Sequence, residues 1–445
     1  MTRTLAALLL ITFSPLPVAA QPAPVRLTLA DAIARGYETS HRLAEVRARE
    51  QGAQAAVQGA HVADRPIVTA SAGYTRTNHV TEFAFGQGSA RQVVYPDIPD
   101  NFVSRVSFQW PIYTSGRVDA LERAAVAEAQ AVAADIETTR ADLRLEIVRA
   151  YWAAATAREA VRVLEESAAR ADAQLRDARQ RFEVGLVPPN EVASLEAQRS
   201  REQAQLIEAS NIRESTLIDL RRLIGAADET VIELADRLDA SAFAPGTPND
   251  LRRDGPALVA EASQRRPERR ALALRLDGVE ARRRAATAAN KPTLGVGGGV
   301  DYANPNQRIF PRKGEWQESW DLSVNVSWNF LDFGRTKAQV AEAEAAATAM
   351  RARLAEFDSV VTADIRQRLL DLDSSQALVK AAADAVRSAA EARRVVGDRF
   401  AAGVATSTDV VVAQVALLET ELARTRALAG VRLAEARLHR VLGRP

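Results

Sequence analysis

Residues 116–182 read GRVDALERAAVAEAQAVAADIETTRADLRLEIVRAYWAAATAREAVRVLEESAARADAQLRDARQRF, one uninterrupted helical pattern without proline. At about 1.5 Å per residue, this helix would be roughly 100 Å long, several times the usual length in a globular domain. Its apolar residues recur at alternating steps of three and four, the repeat of a left-handed coiled coil. Because most of them are alanine, the partner helices should approach closely. The apolar positions are Val126, Ala129, Ala133, Ile136, Leu143, Ile147, Ala150, Ala154, Ala157, Val161, Leu164, Ala168, Ala171, Leu175, Ala178 and Phe182, with Arg140 filling the one vacancy.

The same pattern occurs a second time along the chain. Shifting the sequence by 218 residues places Gly116 on Gly334 and Gly185 on Gly403 without a gap. A repeat of this length indicates a duplicated unit rather than a solenoid. The first predicted repeat, residues 21–227, contains a helix over 31–64, a β-hairpin over 66–112, a long helix over 116–182 and a helix over 189–225. The second, residues 256–445, contains a helix over 256–290, a hairpin over 292–330, a long helix over 334–400 and a helix over 407–442; residues 228–255 form the predicted linker.

The first helix has a recognisable start. Thr28 and Asp31 fit a capping box, in which the two residues bond each other's backbone N–H groups. We expect a possible interruption of this helix near Gly36.

Each predicted hairpin alternates apolar and polar residues along strands about ten residues long. Aromatic residues stand near the strand ends: Trp110 in the first hairpin, Trp328 and Phe330 in the second. One apolar and one polar face suit a transmembrane β-barrel, which has lipid outside and water inside. A half-buried hairpin of a soluble protein would show the same alternation, so the strands alone leave both readings open.

The N-terminus and the composition further limit the class of protein to which this chain can belong. Residues 1–20 carry Arg3, an apolar run from Leu5 to Ile11 and a small-residue end at Ala20, the pattern of a secretory signal peptide. The chain has no cysteine, which excludes a lipidated N-terminal cysteine, so we do not expect a lipoprotein. With 58 basic and 57 acidic residues it is nearly neutral, and we expect no nucleic acid as partner.

Apart from the signal peptide, no stretch approaches the ~18 apolar residues of a membrane-spanning helix. A membrane crossing would therefore use strands, because backbone groups in lipid must be hydrogen-bonded. Four strands cannot close a barrel, since about eight is the smallest number that does. Two, three or four copies would supply 8, 12 or 16 strands, and the residues leave this choice open.

Motifs for catalysis and cofactor binding are weak. The glycines between Gly295 and Gly299 alternate with valines and no helix follows them, so a strand fits better than a phosphate loop. The four histidines are scattered and do not show metal-ligand spacing. Carboxylates on the helices are interleaved with arginines, as on solvated faces. We therefore expect no enzyme activity, no metal and no cofactor.

The ends of the two long helices share one motif. Arg181-Phe182 and Arg399-Phe400 are each followed by a glycine, Gly185 or Gly403, and six residues later by an acid, Glu191 or Asp409. Glycine suits the left-handed residue that ends a helix, and an acid is favoured in the first turn of the next one. Asn190 and Thr408 are the expected caps of those next helices.

These features together resemble one family. With the motif Leu27-Thr28-Leu29-Ala30-Asp31-Ala32-Ile33 and the Gly334-Arg335 pair, the mature chain is similar to TolC-like outer-membrane efflux proteins. The resemblance implies a mainly α fold with a small β part: three protomers would form a 12-stranded outer-membrane β-barrel, four strands per chain, continuous with a long periplasmic α-helical barrel. It implies an exit duct of a tripartite efflux pump or a type I secretion system in a Gram-negative bacterium, exporting drugs, other small molecules or proteins.

The resemblance also implies partners and sites. The homotrimer would contact outer-membrane lipid, with Trp110, Trp328 and Phe330 at the membrane interface. A periplasmic adaptor, coupled to an inner-membrane pump of the RND, ABC or MFS type, would dock on the tip turns, formed by Gly185, Gly403, Arg181, Phe182 and Arg399. Asp409, Phe400 and Glu191 would form the periplasmic gate. Phe400 stands where family members carry a gating tyrosine, Ala405 where well-known members carry an arginine, and Val412 where a second acid is usual.

A periplasmic adaptor protein is the alternative function, because it too contains a long helical hairpin. An adaptor has one such hairpin within a β-rich chain, however, whereas this sequence predicts two, each with membrane-like strands.

Overall fold

The computed structural model describes residues 25–238 and 255–444. The predicted signal peptide and most of the predicted linker lie outside these residues. The helices are α1 Leu29–Thr39, α2 His41–His61, α3 Arg117–Glu183, α4 Pro189–Leu223, α5 Gly255–Arg265, α6 Pro267–Ala288, α7 Arg335–Ala401 and α8 Ser407–Leu442. The strands are β1 Val25–Leu27, β2 Ile67–Arg76, β3 Phe83–Phe85, β4 Gln92–Tyr95, β5 Asp100–Tyr113, β6 Ile232–Leu234, β7 Thr293–Asn304 and β8 Gln317–Ser327. Among the described helices, none combines the length and hydropathy that crossing a membrane requires.

The first predicted helix is interrupted, but not at Gly36. The break is at Ser40, whose extended backbone separates α1 from α2. Gly36 instead lies buried within α1, where an added Cβ would be 2.4 Å from Ile147 Cδ1. The glycine is therefore a close-packing contact between α1 and α3. Arg266 interrupts the helix predicted over 256–290 in the same way, just before Pro267.

The main sheet contains four antiparallel strands in the order β2-β5-β7-β8. The central pair joins the two predicted hairpins, with Val106 opposite Val300. The segment that connects β2 to β5 contains a smaller hairpin, β3–β4. Strand β8 ends at Ser327, so Trp328 and Phe330 follow the strand rather than belong to it, contrary to the sequence pattern.

The glycines of β7 make room for side chains that cross the sheet. Arg105 on β5 bonds Asp301 on β7 at 2.7 Å and Asp321 on β8 at 2.9 Å. A Cβ at Gly299 would lie 3.0 Å from Arg105 Nη2 and 2.9 Å from Val106 O. The glycine therefore lets the guanidinium lie across β7 and connect three strands.

Four left-handed backbone positions in the first repeat recur in the second. Positive φ angles at Ser115, Gly116, Gly185 and Gly225 have counterparts 218 residues later, at Phe333, Gly334, Gly403 and Gly443.

The chain folds as two compact units. Unit 1 comprises Met1–Ser40, Leu143–Thr247 and Leu372–Ala436, and unit 2 comprises His41–Asp142, Pro248–Asp371 and Arg437–Pro445. In unit 1, α3 buries most of the apolar positions that the sequence pattern assigns, from Leu143 to Ala178. In unit 2 a different set of α3 positions is buried, because Gly278 of α6 packs beside Ala124 and Ala127. The positions of α3 buried there are Ala120, Ala124, Ala127, Ala131, Ala134 and Ile136, so Ile136 of the predicted seam is buried, whereas Val126, Ala129 and Ala133 are half-buried within one chain.

A buried tyrosine organises the middle of unit 1. Strands β1 and β6 pair in parallel beside it, an arrangement that the sequence did not reveal. The Tyr151 hydroxyl donates to Asp236 Oδ2 at 2.6 Å and lies 3.1 Å from Leu27 O, while Asp236 also accepts from the Leu29 N–H at 3.0 Å. Arg158 donates to the carbonyl of Asp236 at 2.8 Å. Burial, together with the Asp236 bond, raises the pKa of the Tyr151 phenol.

We expect Tyr151→Phe to lower the free energy of unfolding by roughly 1–3 kcal/mol, because it leaves the Asp236 carboxylate without this partner. Chemical denaturation followed by circular dichroism measures the change. Tyr113→Phe is the control, because this exposed tyrosine lies on β5 in unit 2. Equal stability of the two variants would contradict a structural role for the Tyr151 hydroxyl.

Candidate functional site at the helix tips

Two tight turns, both in unit 1, connect α3 to α4 and α7 to α8. In the first, Gly185 N–H donates to Phe182 O and Leu186 N–H to Arg181 O, both at 2.9 Å. This pair of bonds is a Schellman motif, which ends a helix through a left-handed residue. Gly185 supplies that residue with a φ of 80°. The predicted role of the glycine in the turn is therefore visible in its backbone.

The second turn repeats this geometry. Gly403 N–H donates to Phe400 O at 3.0 Å and Val404 N–H to Arg399 O at 2.9 Å, with a φ of 75° at the glycine. Space around both glycines is open, because nothing lies within 4 Å of a Cβ added at either position. Backbone conformation, rather than crowding, is what calls for glycine here.

The helices that follow are capped differently from the prediction. Thr406, not Thr408, caps α8: its hydroxyl accepts from Asp409 N–H at 3.2 Å, and Asp409 Oδ2 accepts from Thr406 N–H at 2.9 Å. This is a capping box with the same spacing as Thr28 and Asp31, so the sequence contained the signal. Asn190 does not cap α4 either, because Pro188 occupies the cap position and Pro189 the first turn.

Hydrogen bonds favour the ionised form of the Asp409 carboxyl in the second tip. The backbone N–H and the hydroxyl of Thr406 hold the pKa of the Asp409 carboxyl below its usual range, and the charge of Arg399 acts in the same direction. Asp409 is exposed and ionised at neutral pH.

Some of the predicted tip residues meet. The Arg181 guanidinium lies over the Phe400 ring, 5.4 Å from its centroid, which is a cation–π contact between the ends of α3 and α7. Arg181 also pairs with Asp177 at 3.0 Å. Glu191 lies half-buried in the first turn of α4, where its N–H donates to Pro188 O.

The tips also expose three apolar side chains that the sequence analysis did not select. Leu186 is 74% exposed, Val184 70% and Val404 66%. The ring of Phe182, one of the predicted tip residues, is partly exposed as well.

The aromatic residues of the sheet lie near its two ends. Trp110 Nε1 donates to Asp64 O at 2.9 Å, and Trp328 Nε1 to Asn290 O at 3.2 Å. The ring centroids of Phe330 and Trp328 are 6.1 Å apart.

A second aromatic row, absent from the sequence prediction, stands at the other end of the sheet. The row runs from Tyr74 to Phe102, Trp316 and Tyr302, with distances between successive ring centroids of 4.9, 5.9 and 5.0 Å. The rings of Trp316 and Tyr302 are stacked. Phe102 and Trp110 point to the same face of β5. At about 3.3 Å per residue, roughly 26 Å separates the two rows.

The described residues contain no group of three or more histidine, cysteine, aspartate or glutamate side chains arranged to hold a metal ion.

Known proteins are similar to this chain in sequence and in fold. The family profile described as "Outer membrane efflux protein" matches residues 34–226 and 258–444. Outer membrane protein TolC of Vibrio cholerae is 25% identical over 385 residues, covering 86% of this chain and 83% of that protein.

Solved structures agree in fold. The outer membrane protein VceC of Vibrio cholerae superposes with a TM-score of 0.77 at 20% identity, covering 93% of this chain and 96% of VceC. The open state of the MtrE outer membrane channel of Neisseria gonorrhoeae gives 0.74 at 18% identity, covering 94% and 89%. The fold is thus shared along nearly the whole length, and the profile matches both halves. This chain belongs to the outer membrane efflux protein family.

Proposed function

We propose that this chain is the outer-membrane exit duct of a tripartite efflux pump or type I secretion system, with a large periplasmic part. The observation that carries the proposal is a sheet with one apolar face, bounded by two aromatic rows, in a chain whose long helices end in two matched tips. The family consists of channel proteins rather than enzymes, and we propose no catalytic role.

Export measurements test the proposal. Cells lacking the protein should accumulate fluorescent dyes and be more sensitive to drugs, and plasmid-borne protein should restore both, with the protein recovered in the outer-membrane fraction. Recovery only in the soluble periplasmic fraction would contradict the proposal and favour an adaptor.

The apolar face of the sheet is the proposed lipid contact. Barrel strands are tilted by about 35–45°, so a spacing of roughly 26 Å along β5 corresponds to about 20 Å along the membrane normal, which fits within the ~25 Å apolar band of outer-membrane barrels. Val106, Val300 and Leu322 lie exposed between the rows, at depths where only acyl chains are available. Trp110, Trp328 and Phe330 would then mark one interface and the row around Trp316 the other.

We expect the protein to be a homotrimer with a 12-stranded barrel. In the described part of the chain, β2 and β8 each have a neighbour on one side only, and unpaired strand edges are not stable in lipid. Mass measurement of the detergent-solubilised protein should give three chains per particle. A monomeric particle that retains its full strand content would overturn this expectation.

The tips are the proposed docking surface for a periplasmic adaptor, which would connect the duct to an inner-membrane pump of the RND, ABC or MFS type. The turns of Gly185 and Gly403 would present the exposed apolar residues, with Arg181, Phe182 and Arg399 at their base. The proposed gate residues are Asp409, Phe400 and Glu191. The Asp409 carboxyl stays ionised, and the Arg181 guanidinium lies over the Phe400 ring.

A further inference from the structure

A layer of polar side chains is buried inside unit 1, away from the tips and the sheet. It consists of Ser167 on α3, Gln198 and Glu202 on α4, and Gln414 on α8, each at most 5% exposed. Glu202 and Gln414 are 1% exposed. A carboxylate so completely removed from water is costly unless its charge is compensated.

Apolar clusters lie on both sides of this polar layer. Towards the tips, Leu175 and Ala178 pack against Leu195. On the other side, Val163 and Leu164 pack against Leu418. The polar residues therefore lie between two apolar clusters of the helical core.

Hydrogen bonds fix the orientation of the side chains. Glu202 Oε1 accepts from Gln198 Nε2 at 2.8 Å and from Gln414 Nε2 at 3.4 Å. Gln414 Nε2 also donates to Ser167 O at 3.3 Å. Because both partners of the Gln414 amide are acceptors, its nitrogen must face them and its oxygen must point elsewhere.

Three oxygen atoms remain without a partner. Glu202 Oε2, Gln414 Oε1 and Ser167 Oγ are buried and make no hydrogen bond within the described residues. The two terminal atoms of a carboxylate or amide group are only about 2.2 Å apart. Since Gln414 Nε2 contacts both Glu202 Oε1 and Ser167 O, the three unpartnered oxygens belong to residues that Gln414 connects, one on each of α3, α4 and α8.

The charge of Glu202 also lacks a counterpart. No ion pair of Glu202 is found in the described part of the chain, and its two hydrogen-bond donors are neutral amides. Arg170, one turn from Ser167 on α3, pairs through Nη2 with Glu421 at 3.3 Å, while its Nε is buried without a hydrogen-bond partner. The layer thus carries one net negative charge beside two neutral oxygens.

We propose that this layer binds one small monovalent cation of the sodium class, coordinated by Glu202 Oε2, Gln414 Oε1 and Ser167 Oγ. Oxygen atoms are the ligands that hard cations take. A single positive charge neutralises the single carboxylate, whereas a divalent ion would leave an excess charge in the core. The cation connects α3, α4 and α8 and stabilises the folded state by an amount that rises with the logarithm of its concentration above the dissociation constant.

Thermal unfolding of the detergent-solubilised protein tests the site. The wild type should melt at a higher temperature in sodium chloride than in choline chloride of equal ionic strength, and the difference should grow with the logarithm of the sodium concentration above the dissociation constant. Glu202→Gln should lose this difference, because it removes the charge and keeps the shape. Ser167→Ala, which keeps the charge and removes one neutral ligand, should move the onset of the sodium effect to a higher sodium concentration. Glu208→Gln, an exposed site on the same helix, is the matched control and should respond as the wild type does.

Three results would overturn the proposal. One is identical melting of the wild type in sodium and choline chloride, as expected if the layer holds only water. Another is a response to calcium chloride without one to sodium chloride. Crystals soaked in a thallium(I) salt provide a direct measurement that does not depend on variant stability: an anomalous peak is expected beside Glu202 in the wild type, and its absence would also overturn the proposal.

Discussion

Valine at both Gly185 and Gly403 is expected to weaken adaptor binding by roughly tenfold or more and to reduce drug export, while the trimer still accumulates in the outer membrane. Each glycine has a positive φ, a conformation that costs L-residues about 1–2 kcal/mol. A cost of 1.4 kcal/mol at the docking surface corresponds to about a tenfold loss of affinity. Adaptor affinity in detergent and dye efflux in cells are the two measurements.

Asparagine at the same positions is the matched control. It enlarges the side chain too, but it tolerates the left-handed conformation and ends helices in that role. Because nothing lies within 4 Å of an added Cβ, neither substitution creates a clash. Asparagine should therefore preserve most binding and export. If the valine variant exports normally, the turns are structural and the docking surface lies elsewhere.

Asp409→Ala is expected to reduce the cation selectivity of single channels in planar bilayers and to relieve block by trivalent cations. In a trimer, three copies of this exposed carboxylate would converge near the periplasmic end of the pore. Like charges disfavour ionisation, whereas the Thr406 bonds and the helix N-terminus favour it. The lowered pKa of Asp409 means that block should persist as pH falls through the ordinary aspartate range and vanish only below it.

The structure adds a necessary control to this experiment, because Asp409 is also part of the helix cap. Asp31→Ala removes an equivalent capping box, formed with Thr28, at the start of α1. It should leave selectivity and block unchanged. Glu191→Ala should act through tip stability rather than block. Asp409→Ala channels with normal selectivity and normal block would show that the carboxylate does not face the pore.

The sequence predicted the long helices well because their signal extends over many turns. The helix predicted over 116–182 occupies Arg117–Glu183, and the one over 334–400 occupies Arg335–Ala401. The set of α3 residues buried within one chain in unit 2 was less predictable, because alanines occupy more than one face of this helix. Which face is buried there depends on Gly278, a residue far away in the sequence.

Local features with two explanations were less predictable. Gly36 could break a helix or allow close packing, and only its contact with Ile147 decides for packing. Strands β1 and β6 are three residues each, too short for a periodic pattern. Of the tip residues, the glycine turns follow from local sequence, whereas the contact of Arg181 with Phe400 depends on two helices meeting, which no spacing motif encodes.

The central strand pair has a consequence for how the protein is made. Val106 on β5 and Val300 on β7 are neighbours in the sheet but belong to hairpins far apart in the chain. The second hairpin must therefore be synthesised and exported across the inner membrane before the sheet can form. Pairing over such a sequence distance is slow, because a long loop has to close first. The first hairpin, with an exposed apolar face, consequently waits in the periplasm, where holdase chaperones would have to protect it from aggregation.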